Sequence, residues 1–186
     1  MTVKRIFDIV LSIVLVIFFL VPLLVISLMV FLTQKEKVFF FQSRVGQYEK
    51  IFTIVKFCTL NDNNEVTLLG KFLRSSKFDE LPQLFNVLNG DMSIVGPRPD
   101  VPNWIFSHLS KSERKKIFSV KPGMTSPASI KYVNEEKLLE SISDPDIYYQ
   151  DIIWPEKVKM NIDYAMNVSL KTDLHILLKT FKLIFN

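Results

Sequence analysis

From Ile9 to Leu32 the chain runs for 24 residues without a charged side chain. A helix rising about 1.5 Å per residue would carry that run roughly 36 Å, further than the roughly 30 Å hydrocarbon core of a bilayer. The run is too long for the apolar centre of a secretory leader and no small-x-small cleavage site follows it, so it is expected to remain in the mature protein. Pro22 interrupts it. Proline has no amide hydrogen and crowds the preceding turn, so a kink is expected there. Neither apolar piece flanking Pro22 is long enough to span a bilayer alone. Lys4 and Arg5 precede the run; Lys35 and Lys37 follow it. Basic flanks are retained on the cytoplasmic side. Having them at both ends suits a helix that enters, bends and returns to the same face; a single kinked crossing is the alternative these residues leave open. Asp8, at the edge of the run, stands at helical spacing from Lys4 and Arg5 and can pair with them.

Behind this segment the composition is that of an ordinary globular chain. The formal net charge of +4 suits an anionic membrane face or phosphate-bearing substrates. It is too small an excess to argue for nucleic acid, and no nucleic-acid motif is present. Cys58 stands alone, which excludes an intrachain disulfide. His108 and His175 are far apart and read as surface or packing residues rather than metal ligands. No repeat, low-complexity tract or linker divides the remainder. The expected organisation is a membrane helix over residues 1–34 and one catalytic unit over 35–186 bearing membrane-surface helices.

The pattern is mixed but mainly helical. Phe39 to Phe57 alternates short apolar runs about a turn at Val45–Gly46–Gln47 and reads either as a hairpin of short strands or as a strand followed by a loop. Leu68 to Leu73 reads as helix. Asp79 to Leu88 is a stronger helix, with Leu81, Leu84, Phe85 and Leu88 at helical spacing and Gly90 as its stop. Ile94 to Pro102 is extended and rigid. Ser110 to Phe118 reads as a basic helix, Lys121–Pro122–Gly123 as a turn and Glu135 to Ile142 as a short helix. At the C-terminus Leu170, Leu174, Leu177, Phe181 and Ile184 form an apolar stripe flanked by Lys171, Lys179 and Lys182. The stripe suits either a membrane surface or the protein's own core.

The chemistry concentrates at Asp79 and Glu80, which open the predicted helix with Pro82 in its first turn. Alone, the pair reads as an N-cap and a complement to the helix dipole. Its surroundings say more. Arg74 lies five residues before it, and Arg98 sits in the stiff turn Gly96–Pro97–Arg98–Pro99. Carboxylates, guanidinium groups and a helix start suit a metal-bound diphosphate without naming a reaction.

The string from Arg74 to Pro99, RSSKFDELPQLFNVLNGDMSIVGPRP, closely resembles the signature of bacterial sugar transferases, the monotopic phosphoglycosyl transferases. The resemblance covers nearly the whole chain. Lys4-Arg5-Ile6-Phe7-Asp8 is similar to the family's entry to its membrane helix. Phe41-Gln42-Ser43-Arg44-Val45-Gly46 with Lys56-Phe57 resembles its next block, Pro122-Gly123-Met124-Thr125 a later turn, and Tyr164 to Asp173 its C-terminal motif. The small size resembles the family's minimal catalytic form.

That resemblance implies an α+β fold, mainly helical, with a re-entrant proline-kinked membrane helix, amphipathic surface helices and a small β element near the site. It implies a bacterial inner-membrane protein whose catalytic part faces the cytoplasm. Asp79 is implied as the nucleophile on the sugar-bearing phosphorus of a UDP-sugar, expelling UMP and holding an aspartyl phosphosugar. Polyprenol phosphate (undecaprenyl phosphate) then takes the sugar phosphate. Mg²⁺ is implied, held by Glu80 with Asp79. Arg74, Arg98, Pro97, Pro99, Lys56 and Asp173 are implied as substrate- or phosphate-binding positions, and a homodimer is left open. The chain departs from the family's usual residues at Val21, Cys58, Lys77, Ser126 and Asn161. Two other classes stand beside the transferase: an inactive membrane scaffold, which predicts damage at Asp79, Glu80 or Arg98, and a hydrolase, which would release sugar phosphate without a lipid acceptor.

Overall fold

The computed structural model describes residues 3–33 and 37–185. Lys35 of the second basic flank and the side chain of Ile184 fall outside the described residues. The apolar run forms two helices, α1 (Val3–Phe18) and α2 (Leu20–Thr33), bent by 63° across a break at Phe19. The break precedes Pro22 by three residues because the proline cannot donate to the Phe18 carbonyl and its ring presses on it. Among the described residues no single helix is long and apolar enough to cross a membrane; the bent pair passes that test only together. α2 buries Leu23, Ile26 and Val30, one helical face, against Phe57, Cys58 and Leu73. Each such burial is worth about 1.5–3 kcal/mol. The opposite faces keep Ile17, Phe18, Val21, Leu24 and Leu32 exposed, a contiguous apolar surface that water does not favour.

The entry to α1 is tied down differently from the local pairing its sequence suggests. Asp8 does not pair with Lys4 or Arg5. It is buried and accepts from the Ser93 hydroxyl (3.0 and 2.9 Å) and the Ile94 amide (3.1 Å). Lys4 instead reaches Asp173 (2.6 Å) and the Val95 carbonyl (3.1 Å). Arg5 donates to the Val87 and Leu88 carbonyls. A buried carboxylate takes the partners that replace its lost water, and backbone donors far along the chain outbid an exposed helical neighbour.

β1 (Phe39–Val45) and β2 (Ile51–Phe57) form an antiparallel hairpin, registered from Phe39 opposite Phe57 to Val45 opposite Ile51. α3 (Leu68–Ser75) follows, capped by the Thr67 hydroxyl. α4 (Gln83–Asn89) ends at Gly90, whose φ of 95° a side chain would resist. The Asn86 side chain accepts from Val55 N and donates to Thr53 O, docking α4 on the edge of β2 as a further strand would. β3 (Ser93–Val95) pairs in parallel with β4 (Gly123–Thr125). The crossover a parallel pair requires carries α5 (Pro102–His108) and α6 (Lys111–Ile117). Gly123 therefore begins a strand rather than ending a turn. A Cβ on it would lie 2.0 Å from Gly96 N, so only glycine permits this approach.

α7 (Pro127–Lys131), α8 (Glu135–Glu140) and α9 (Pro145–Tyr148) are short. A π turn over Tyr149–Ile153 leads into α10 (Trp154–Met166) and then α11 (Leu170–Phe185). One of the departures from the family pattern serves structure here: Ser126 caps α7 through its hydroxyl. Another, Asn161, sits in α10 with a buried Oδ1 that no described group satisfies. α11 buries only part of the stripe read from its leucines, Leu177 packing against the core. It turns Asp173, Ile176 and Thr180 inward, Asp173 and Ile176 being buried and Thr180 bonding Thr125 at 2.8 Å. Leu174, Leu178 and Phe181 stay exposed. Two polar anchors, Asp173 and Thr180, set the rotation of the helix that leucine spacing alone left open.

α6 carries a complete capping box, with Ser110 and Glu113 bonding each other's backbone. Those Ser110 hydrogen bonds hold the Glu113 carboxyl below its ordinary value. Ser110→Ala is expected to cost about 1 kcal/mol at neutral pH. A depressed carboxyl pKa stabilises above the unfolded value and the benefit is lost as pH falls through the folded one. The wild type–variant gap in denaturant midpoint should therefore narrow on acidification; a constant gap would contradict the box.

Candidate active site

Asp79 and Glu80 do not start α4. They lie in a 3-10 turn over Phe78–Glu80, and α4 begins after Pro82, which stands at its N-cap without any side-chain cap. Leu81, Leu84 and Phe85 donate three residues back, to Phe78, Leu81 and Pro82. The chain stays tightly wound until the proline is passed, so Asp79 is not an N-cap. Lys77 launches the turn from the left-handed region, at φ 59° and ψ 15°. Because α4 is docked on β2 through Asn86, the turn is held against the hairpin.

The pair forms one wall of a cavity of about 340 Å³. Lys56, Arg74, Lys77, Arg98 and Arg44 also line it, so cations outnumber the carboxylates Asp79, Glu80 and Glu136. Glu80 accepts from Lys56 Nζ (2.7 Å) and Arg98 Nη2 (2.7 Å) through Oε1, with only a long 3.5 Å contact at Oε2. Burial opposes its ionisation, yet the charges and hydrogen bonds of Arg98 and Lys56 outweigh it and hold the carboxyl at about 2. Glu80 reciprocally raises Arg98 above the usual arginine value. Asp79 has the opposite character. Burial, then the Glu80 charge, raise its pKa, against a counter-pull from Lys56, Lys77 and Arg74. Its Oδ1 is buried with no partner among the described residues. A carboxylate with an unengaged buried oxygen is poorly stabilised where it is, and is available to a cation or a phosphorus.

Arg74 donates Nε to the Thr59 hydroxyl at 2.9 Å. Arg98 projects outward between Pro97 and Pro99, both buried. Those prolines do not line the cavity and have no amide to offer phosphate; they are struts, with Pro97 O accepting from Gly123 and Pro99 O from Arg44. Asp173 is not brought to the cavity either. It is fully buried, held by Lys4 and by the Tyr164 hydroxyl at 2.7 Å, and a carboxylate so enclosed and so paired has no open side for a phosphate. Of the positions read from sequence, the structure gathers Asp79, Glu80, Lys56, Arg74 and Arg98.

Sequence reasoning missed Arg44 and Gln42. Their signal was the period of two on β1: Phe40, Gln42 and Arg44 share a face with Lys56 opposite and all four line the cavity. Arg44 bonds Gln42 Oε1 and Pro99 O and leaves a buried Nε unpartnered; burial lowers its pKa. Lys77, too, was read only as a departure, and Cys58 lines the same wall. Replacing Lys77 by glycine should remove the cost of left-handed backbone on a residue with a Cβ and stabilise by up to about 1 kcal/mol. It should also remove a cation from the cavity and raise KM for a phosphate-bearing donor. A lower melting temperature in Lys77→Gly would refute the strain.

Among the described residues no three or more His, Cys, Asp and Glu side chains gather as a metal cage. Mg²⁺ rarely needs one. It commonly takes one or two carboxylates and completes its shell with substrate phosphates and water. The unengaged Asp79 Oδ1 and the weakly engaged Glu80 Oε2, on neighbouring residues of one cavity wall, fit that donor set.

A family model described as bacterial sugar transferase matches residues 1–186. The Bacillus subtilis protein EpsL, named an uncharacterized sugar transferase, is 34% identical over 98% of this chain and 87% of its own length. A UDP-glucose:undecaprenyl-phosphate glucose-1-phosphate transferase of Klebsiella pneumoniae is 34% identical over 97% of this chain, which spans 39% of that protein. A Caulobacter vibrioides protein of the same name is 30% identical over 95% of this chain and 67% of its own length.

Proposed function

The chain belongs to the bacterial sugar transferase family, and from that premise we propose that it moves a sugar-1-phosphate from a UDP-sugar to undecaprenyl phosphate through an aspartyl phosphosugar on Asp79. The observation that carries the reading is the buried, unengaged Asp79 Oδ1 at the wall of a cavity rich in cations. Asp79 attacks the phosphorus bearing the sugar, forming a carboxylate–phosphorus bond as the bond to UMP breaks. The acceptor phosphate oxygen then attacks the same phosphorus and the Asp79 carboxylate leaves. Splitting the transfer makes two tractable displacements. Arg74, Arg98, Lys56 and Lys77 hold the diphosphate and balance its charge, and Arg44 adds a guanidinium on the hairpin side. Glu80, fixed by Lys56 and Arg98, keeps both cations oriented. Glu80 and Asp79 would hold Mg²⁺, which when bound supplies charge neutralisation on the phosphates.

The bent apolar pair supports a re-entrant membrane element. Its outward faces are exposed and apolar, its two halves are each too short to span, and basic residues flank both ends, with Lys4 and Lys37 among the described ones. The catalytic part then lies on the cytoplasmic face of a bacterial inner membrane.

The test is UMP release by detergent-solubilised protein with Mg²⁺ across a panel of UDP-sugars, with and without undecaprenyl phosphate. Multiple turnovers that need the lipid acceptor support the transfer. Steady release of sugar phosphate without acceptor would replace it with hydrolysis.

A further inference from the structure

An apolar groove adjoins the active-site cavity. A second, more open groove of about 630 Å³ is lined by Phe31 of α2, by Val38, Phe39, Phe40 and Phe41, and by Cys58. Phe40 and Cys58 line both spaces, so the groove and the reaction cavity share a wall. Three successive phenylalanines are unusual on a two-stranded hairpin, because alternate residues face opposite sides and one side should be polar. Here Phe39 stacks on Phe57 at 5.6 Å and meets Phe41 edge-on at 6.5 Å, while Phe41 stays 61% exposed. Lys37 stands at the groove with its ammonium tied to Asp62 at 3.0 Å. At its other end Phe31 carries the groove onto α2, whose outward face is apolar.

We propose that this groove seats the isoprenoid tail of the acceptor, with the acceptor's phosphate passing Phe40 and Cys58 into the cavity. The proposal rests on the acceptor reading given above. The continuity of the two spaces selects the occupant. The groove adjoins a cationic reaction cavity at Phe40 and Cys58 and the apolar exterior of α2 at Phe31, so its best-matched occupant is apolar along its length and anionic at one end. A nucleotide sugar is polar throughout and has nothing to place against five apolar side chains. A hydrocarbon chain with a phosphate head satisfies both ends, and aromatic faces pack well on an unsaturated, methyl-branched chain.

The experiment uses the full chain in detergent with two acceptors of the same phosphate head, one with a long and one with a short prenyl chain. Phe41→Ser and, on the separate α2 wall, Phe31→Ser each remove a ring that the reaction cavity does not use. Each is expected to raise KM for the long-chain acceptor about tenfold, leaving KM for the UDP-sugar, KM for the short-chain acceptor and binding to lipid vesicles unchanged. In parallel, a prenyl phosphate carrying a photoreactive diazirine in its tail is bound to wild type without donor. Labelling at Phe31 and Val38–Phe41 supports the groove. Equal loss for long and short acceptors, or label confined to the outward face of α1, overturns it. The labelling arm needs no turnover, so a wild type that labels in the groove yet transfers nothing would count against the transferase reading and not against the groove.

Discussion

Asp79→Asn is expected to lower multiple-turnover transfer by at least about a thousandfold while leaving the protein folded and slightly more stable. The loss follows from the role: an amide cannot form the carboxylate–phosphorus bond, and removing a nucleophile costs orders of magnitude even when the rest of the site is intact. The stability gain follows from burial. Desolvation and the Glu80 charge raise the Asp79 pKa in the folded chain. A carboxyl with a raised folded pKa binds its proton more tightly folded than unfolded, so its ionised form costs stability, and the cost sets in as pH rises past the unfolded value. A neutral isostere removes that cost at neutral pH. A rise in melting temperature together with a collapse of kcat is the pattern of a site that holds a group in an unfavourable state for use. If Asp79→Asn kept more than a tenth of wild-type kcat, the covalent route would fail. If it unfolded the protein, the carboxylate would be structural and the reading of its free oxygen wrong.

The site was legible in sequence where local order carried it. Asp79, Glu80, Arg74 and Arg98 fall within one short string, and the 3-10 turn and the Pro97–Arg98–Pro99 strut need only a few residues to bring them together. Arg44 was legible in principle, through the alternation of β1 with Lys56 on the facing strand, but seeing it required the hairpin register as well as the strand. Asp8 and Asp173 were not legible. Each is a buried carboxylate whose partners lie on elements remote in sequence: Ser93 and Ile94 for one, Lys4 for the other. Local spacing offered Asp8 two exposed cations, and the fold chose backbone and hydroxyl donors in the interior. The rotation of α11 was settled by the same kind of contact, since Asp173 and Thr180 turn inward and, of the stripe, Leu177 packs on the core while Leu174 and Phe181 stay outside. For the fold as a whole, hydrophobic periodicity placed the elements, while the few buried polar groups decided how they face one another.

Lys4→Met tests that last point, and its effect on stability should be large. Asp173 is fully buried, and its side-chain partners among the described residues are the Lys4 ammonium at 2.6 Å and the Tyr164 hydroxyl at 2.7 Å. Removing the ammonium leaves a buried charge with one neutral donor, a loss of about 3–5 kcal/mol. For a chain of this length that is a fall in melting temperature of about 10 °C or more, followed by the fluorescence of Trp104 and Trp154 in one detergent. The same change strips the Lys4 ammonium from the Val95 carbonyl, whose other neighbours, the Ser93 and Tyr164 hydroxyls, each have a single proton for which Asp8 and Asp173 compete. Val95 leads directly into Gly96, Pro97 and Arg98, so the anchor of the apolar helix pair is also the footing of an arginine in the cavity. The double change Lys4→Met with Asp173→Leu removes both charges and should recover most of the stability, because an ion pair replaced by apolar groups of similar volume is often neutral. Recovery of stability without recovery of KM for the UDP-sugar would show that the ion pair is kept for where it holds Arg98 and not for the energy it contributes. A single variant within about 1 kcal/mol of wild type would mean that the Lys4–Asp173 pair contributes little, and the link from the helix entry to Arg98 would have to run through Asp8 and Ser93 alone.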